Sequence, residues 1–191
     1  LYRADGAGYL PPGYAHLFVV SSEGGAARQV TRGDHDFNAP AAWLPDSRSV
    51  IVAANLDADA DYKPLETELY RIDVETGATT RLTRRAGPDR APAVSPDGRH
   101  VAYVGFDDRK LGYQNSQLSI LDLASGTSRV LSAALDRSAE APEWDGNEAI
   151  VFEYEDRGST TVARVAATGG AIRILATDLG GTAMGRPYAG G

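Results

Sequence analysis

Along this chain a short apolar run, a tight turn ending in glycine and an aliphatic residue five positions later recur four times. The glycines are Gly25, Gly77, Gly126 and Gly170, and the aliphatic partners are Val30, Leu82, Leu131 and Leu175. Intervals of 52, 49 and 44 residues between the glycines mark a repeat architecture, in which one supersecondary unit is used again and again.

A second element recurs between these copies. It is built around Pro40, Trp43, Pro45 and Asp46, then Pro92, Val94, Pro96, Asp97 and Gly98, then Pro142, Trp144, Asp145 and Gly146. Each copy leads into a run of strand character: residues 49–53, 100–104 and 149–153. The best-formed copy gives the order of strands. Strand A covers Ala91 to Ser95, and Pro96-Asp97-Gly98 reverses the chain, because Pro presets φ, Asp bonds the local backbone and Gly accepts a left-handed conformation. Strand B covers His100 to Gly105. After a longer polar connection, strand C covers Gln117 to Leu123, and Ala124-Ser125-Gly126 leads to strand D at Ser128 to Ser132. Four antiparallel strands per unit predict an all-β fold, a β-propeller of four-stranded blades. Two copies of the A–B turn depart from the pattern: Ser47 stands where glycine takes positive φ, which predicts some strain, and the third shrinks to Trp144-Asp145-Gly146-Asn147.

The predicted organisation is one partial propeller over residues 1–191: an incomplete blade at 1–38, blades at 39–90, 91–138 and 139–180, and the start of a further blade at 181–191. In the incomplete blade, Leu1 to Ala4 reads as strand B, Leu17 to Ser21 as C and Arg28 to Thr31 as D, while Ala183 to Tyr188 reads as the next strand A. The chain therefore reads as a piece of a longer propeller. Pairing of its ends into a four-bladed ring and an open arc are both compatible with this pattern. An open arc exposes unpaired edges and is expected to self-associate.

Composition mainly excludes. A formal net charge of −7 argues against nucleic acid as a partner, and no stretch approaches the ~20 apolar residues of a membrane helix. The chain has no cysteine, so it has no disulfide, thiol nucleophile or thiolate metal site. The three histidines, His16, His35 and His100, stand in no catalytic motif, and no Gly-x-Ser-x-Gly elbow occurs. No catalytic residue and no cofactor are expected. The compartment expected is the cytoplasm, with the periplasm as the alternative.

The strongest local cluster is acidic. Asp57, Asp59, Asp61 and Glu68 have the spacing of positions 1, 3, 5 and 12 of a calcium-binding EF-hand loop. Tyr62 replaces the required glycine, Pro64 interrupts the loop and the flanks read as strands, so a solvated rim loop is the competing reading. The same connection, with Tyr62 and Glu66, and its counterpart in the next blade, with Asp107, Asp108, Arg109, Lys110 and Tyr113, are candidate substrate-gating loops, because loops on a rigid scaffold often carry binding. Ordinary solvated charge is the alternative. Trp43 and Trp144 occupy matching places on innermost strands and are expected to pack between blades, as are Val101, Tyr103 and Phe152.

Residues 2–9, 16–20, 92–99 and 185–191, in that order around the repeats, resemble the propeller of bacterial acylaminoacyl-peptidases, serine peptidases of the prolyl oligopeptidase group. The Ser95-Pro96-Asp97-Gly98 turn alone is shared with TolB-like and other WD-type propellers. The resemblance implies an N-terminal seven-bladed propeller that restricts the entry of short peptides to a C-terminal α/β-hydrolase domain carrying Ser, Asp and His. None of those catalytic residues has a match here. The chain is then a non-catalytic domain whose partners are the hydrolase domain of the same polypeptide and short peptides. The alternative is a TolB-like binding or scaffold propeller with no enzyme attached.

Overall fold

The computed structural model describes residues 12–180, and these residues form β-sheets linked by turns and loops. A two-stranded sheet comes first, β1 (Phe18–Val19) with β2 (Arg28–Gln29). Three four-stranded meanders follow. The first blade holds β3 (Ala41–Trp43), β4 (Ser49–Ala54), β5 (Glu68–Asp73) and β6 (Thr79–Arg81). The second holds β7 (Asp89–Val94), β8 (His100–Gly105), β9 (Gln117–Asp122) and β10 (Ser128–Val130). The third holds β11 (Ala139–Asp145), β12 (Ala149–Asp156), β13 (Ser159–Ala166) and β14 (Arg173–Ala176). In every blade the spatial order follows the chain order and neighbours are antiparallel. This is a partial β-propeller. The expected strands at Leu1 to Ala4 and Ala183 to Tyr188 lie outside the described residues.

The alternation of side chains along each strand decides how the blades stack. In β4, Val50 and Val52 point back to Leu17, Val19 and Val30 around the two-stranded sheet, while Ile51 and Ala53 point forward to Val101 and Tyr103 of the second blade. In β8, Ala102 and Val104 point forward to Ile150 and Phe152 of the third. A strand placed between two sheets must be apolar on both faces, and all six residues of β4 are buried. Burial of each large side chain, such as Ile51, Leu69 or Phe152, contributes roughly 1.5–3 kcal/mol.

Polar groups hold the outer strands within each unit and also tie one blade to the next. In three successive units a hydroxyl at the end of strand D accepts the backbone N–H of a strand-C leucine at 2.9 Å: Thr31 from Leu17, Thr83 from Leu69 and Ser132 from Leu118. Arg28 and Arg129 each reach across to the next blade and donate to its backbone carbonyls, Val74 and Glu75 for the first and Ala167 and Thr168 for the second. These carbonyls lie at or just beyond the end of strand C, where the sheet ladder no longer uses them.

Trp144 behaves as its pattern predicts: it packs against the cluster between the second and third blades, and its Nε1 donates to the Ala93 carbonyl. Trp43 does not. It pairs with Val50 as Trp144 pairs with Ile150, yet it is 50% exposed. The surface it faces would be the inner strands of the preceding unit, and the described residues supply only that unit's outer pair, β1 and β2. The expected strain at Ser47 is present, with φ of 57°, matching 70° at Gly98 and 61° at Gly146.

Candidate functional site

Connections between strands B and C emerge at the end of the sheets where strand A begins. In the first blade this connection spans residues 55–67 and is held by local bonds. Asn55 accepts from the Asp57 N–H and donates to the Lys63 carbonyl, and residues Ala60–Tyr62 form a single 3-10 turn. Lys63 pairs with Asp59 at 3.0 Å, and that hydrogen bond and charge raise the ammonium pKa. Tyr62 projects at the tip, 89% exposed.

The loop forms one wall of a cleft of about 740 Å³. Asp57, Asp59, Asp61 and Tyr62 line one side, and Asp34 and His35, from the connection that enters the first blade, line the other. Asp36 fixes that second wall by accepting the Ala15 N–H at 2.7 Å. The site thus offers carboxylates and an aromatic face, groups suited to ammonium or guanidinium ligands.

Glu68 does not join this cleft. As the first residue of β5 it turns inward, its side chain is 1% exposed, and Arg81 takes its carboxylate at 2.5 Å while reaching Asp57 at 3.9 Å. Among the described residues no group of three or more His, Asp or Glu side chains is placed to hold a metal ion. The linear EF-hand spacing therefore does not become a convergent set, because a strand start carries its fourth member into the core.

The second connection, residues 106–116, is organised by Asp108. Its carboxylate accepts the Lys110 N–H and the Gln114 amide and pairs with the Lys110 ammonium; the side-chain bond to Lys110 leads in holding its pKa below the usual carboxylate range. Tyr113 is 77% exposed. Asp107, Arg109 and Tyr113 line a separate cleft of about 600 Å³ with Leu135 and Asp136. The two candidate loops share one end of the molecule; the second touches the first cleft only through Phe106, and its candidate residues Asp107, Arg109 and Tyr113 line the other. Glu66 turns away from both, towards the Gly87 N–H.

Between the first and second blades lies a buried ion pair, Arg85 with Asp89 at 2.6 Å, with Arg85 over the ring of Tyr103. Burial pushes the Asp89 carboxyl up to about 6 against the pull of Arg85. Of the three histidines, His35 lines the first cleft and the other two sit in structural contacts. His16 Nδ1 lies 3.3 Å from the Thr31 hydroxyl, which already accepts the Leu17 amide, and His100 lies 3.6 Å from Asp122 beside the ring of Trp144.

Sequence reasoning missed the Asp34–Asp36 wall and the Arg85–Asp89 pair. The run Gly33-Asp34-His35-Asp36 was the available signal for the first. The second has none, since Arg85 and Asp89 look like loop charges until β7 is seen to begin at Asp89.

Residues 8–102 match the family model described as the dipeptidyl peptidase IV (DPP IV) N-terminal region. Dipeptidyl-peptidase 5 of Porphyromonas gingivalis is 23% identical over 148 residues, 75% of this chain and 21% of that protein. In structure, a TolB-like protein from Agrobacterium tumefaciens superposes with a TM-score of 0.66 at 21% identity, over 87% of this chain and 57% of that one. This chain is a propeller related to those of DPP IV-type peptidases and of TolB. A puromycin-hydrolyzing peptidase from Mycobacterium tuberculosis gives the same fold, with a TM-score of 0.59 and 20% identity over 84% of the propeller and 24% of the peptidase. The propeller spans less than half the length of the curated relatives it matches.

Proposed function

We propose that this propeller is the non-catalytic N-terminal part of a serine peptidase of the prolyl oligopeptidase group, of acylaminoacyl-peptidase type. Its role is to restrict the access of peptides to an α/β-hydrolase domain of the same polypeptide. The observation that carries the reading is the match of residues 8–102 to the DPP IV N-terminal region. The acidic, tyrosine-bearing cleft at the connector end supports it, because such a surface attracts the amino group or basic side chains of a short peptide. Acyl transfer through a serine ester would be carried out by the hydrolase domain.

The test is to label a lysate of the source organism with a fluorophosphonate serine probe and to capture it with an antibody raised against residues 12–180. A labelled polypeptide much larger than 20.2 kDa is expected. Captured protein that takes no label overturns the peptidase reading and favours the second one, a TolB-like binding propeller, which rests on the Agrobacterium likeness. The 191-residue chain alone is expected to leave aminoacyl chromogenic substrates intact.

A further inference from the structure

The joint between the first and second blades is polar where the other joints are apolar. The linker into the third blade contributes Leu135, and Ala139, Phe152 and Ala163 pack against the second blade from β11, β12 and β13. One joint earlier the linker contributes Arg85, and the ladder puts Asp89, Tyr103 and Ser119 at the places of those three residues. At the joint behind the first blade the places of Tyr103 and Ser119 belong to Val52 and Tyr70, again in an apolar cluster. Two joints of the propeller pack without this polar set, so the stacking of blades does not account for it.

The set is also left unfinished. Arg85 Nη2 meets Asp89 Oδ1 at 2.6 Å, yet neither Asp89 oxygen and neither Nε nor Nη2 of Arg85 takes part in an aligned hydrogen bond among the described residues. The Tyr103 phenol lies beside Ser119 and Ser128, but Ser119, only 1% exposed, has no partner for its Oγ in hydrogen-bond geometry. Buried polar groups left so cost folding free energy unless a bound molecule satisfies them. The backbone is cleared for the pair as well. A Cβ at Gly105 would lie 2.3 Å from Arg85 Nη2 and 2.8 Å from Asp89 Oδ1, whereas the first and third blades carry Ala54 and Tyr154 at that place.

These groups line a cleft of about 560 Å³ between two complete four-stranded sheets. The exposed Arg84 and Asp107 line it too, with Asp107 3.8 Å from Arg85, and Leu82 and Val130 supply apolar surface. Arg129 lends only its stem, because its guanidinium donates to the Ala167 and Thr168 carbonyls. An anion alone would be opposed by Asp89 and Asp107, and a cation alone by Arg84 and Arg85; a molecule that carries both charges meets both pairs. We propose that this cleft binds a free aliphatic α-amino acid. Its carboxylate is taken by Arg84 and Arg85, its ammonium by Asp89, Asp107 and the Ser119 hydroxyl, and its side chain by Leu82 and Val130. The site shares no residue with the acidic first cleft and does not depend on the peptidase reading.

The test titrates the isotope-labelled chain with leucine and follows its amide resonances. Saturable shifts are expected at residues 82–85, 103 and 119. N-acetyl-leucine, which lacks the ammonium, and leucinamide, which lacks the carboxylate, are each expected to bind at least about tenfold more weakly, since each loses a charged hydrogen-bonded contact. Ser119→Ala is expected to weaken leucine about fivefold. Arg85→Leu/Asp89→Ala/Ser119→Ala copies the apolar joint of the third blade and is expected to abolish the shifts. Where that variant does not fold, the blocked ligands on wild type and the Ser119→Ala titration decide. No saturable shift with leucine overturns the proposal, as does equal affinity for leucine and either blocked form, or undiminished binding by the folded triple variant.

Discussion

Trp144 donates from Nε1 to the carbonyl of Ala93 at 2.8 Å, tying the inner strand of the third blade to that of the second. Trp144→Phe keeps most of the ring and loses this bond, and is expected to cost about 1 kcal/mol of unfolding free energy in urea. Trp43→Phe, at the matching position, is expected to change stability by less than about 0.5 kcal/mol, because its ring is half in solvent. Equal losses at the two sites would contradict the assignment of Trp43 as an uncovered face.

Thr83 fills a repeated role, accepting the buried Leu69 amide. Thr83→Val leaves that N–H without a partner and is expected to cost about 1–3 kcal/mol, with Thr83→Ser recovering most of the loss. Hydrogen exchange at Leu69 should accelerate in the valine variant and stay near wild type in the serine variant.

Arg81 neutralises a carboxylate that has no access to water. Arg81→Met strands Glu68 and is expected to cost about 3–5 kcal/mol, whereas Arg81→Met/Glu68→Gln removes both charges and is expected to cost far less. Thermal melts of the single and double variants decide this, and additive losses would mean that the pair is not coupled.

Asp89 gives a pH dependence of defined sign. Its folded pKa, about 6, lies above the usual 3.8, so its contribution to stability is complete below about pH 4 and is lost as pH rises through 6. The loss is on the order of 3 kcal/mol. Asp73, Asp97 and Asp122 work the other way. Hydrogen bonds from the turns they close lower their pKa values, so their contribution is present above about pH 4 and fades as pH falls through those depressed values. Urea midpoints measured from pH 4 to 7.5 should show Asp89→Asn gaining on wild type as pH rises; parallel curves would count against an ionisable, desolvated Asp89.

The blades were legible because each local signal agreed with the fold. Pro96-Asp97-Gly98 fixes a turn, β8 spans the predicted His100 to Gly105, and β4 is apolar because it is covered on both sides. What escaped depended on neighbours that a linear pattern does not contain. Trp43 carries the same signature as Trp144, and what separates them is that the described residues place no inner strand over Trp43. Glu68 fits a ligand spacing, and only its place at the start of β5 sends it to Arg81. The candidate loops were found from length and charge, but the wall that faces the first of them, at Asp34 and Asp36, comes from a different unit of the repeat. The third blade also surprised: Arg157-Gly158, with φ of 52° and 80°, joins β12 to β13 directly, where the other blades carry long connections.

That two-residue turn has a kinetic consequence. To pair β4 with β5 the chain must close a connection of 13 residues, while β12 and β13 zip outward from adjacent positions through eight paired residues. Ordering a long connection before any contact rewards it slows the search, and a tight hairpin avoids that delay. The third blade is therefore expected to organise first and template the second. Substitutions such as Val165→Ala should mainly slow folding, and substitutions such as Ile72→Ala should mainly speed unfolding, a contrast that stopped-flow chevrons would expose.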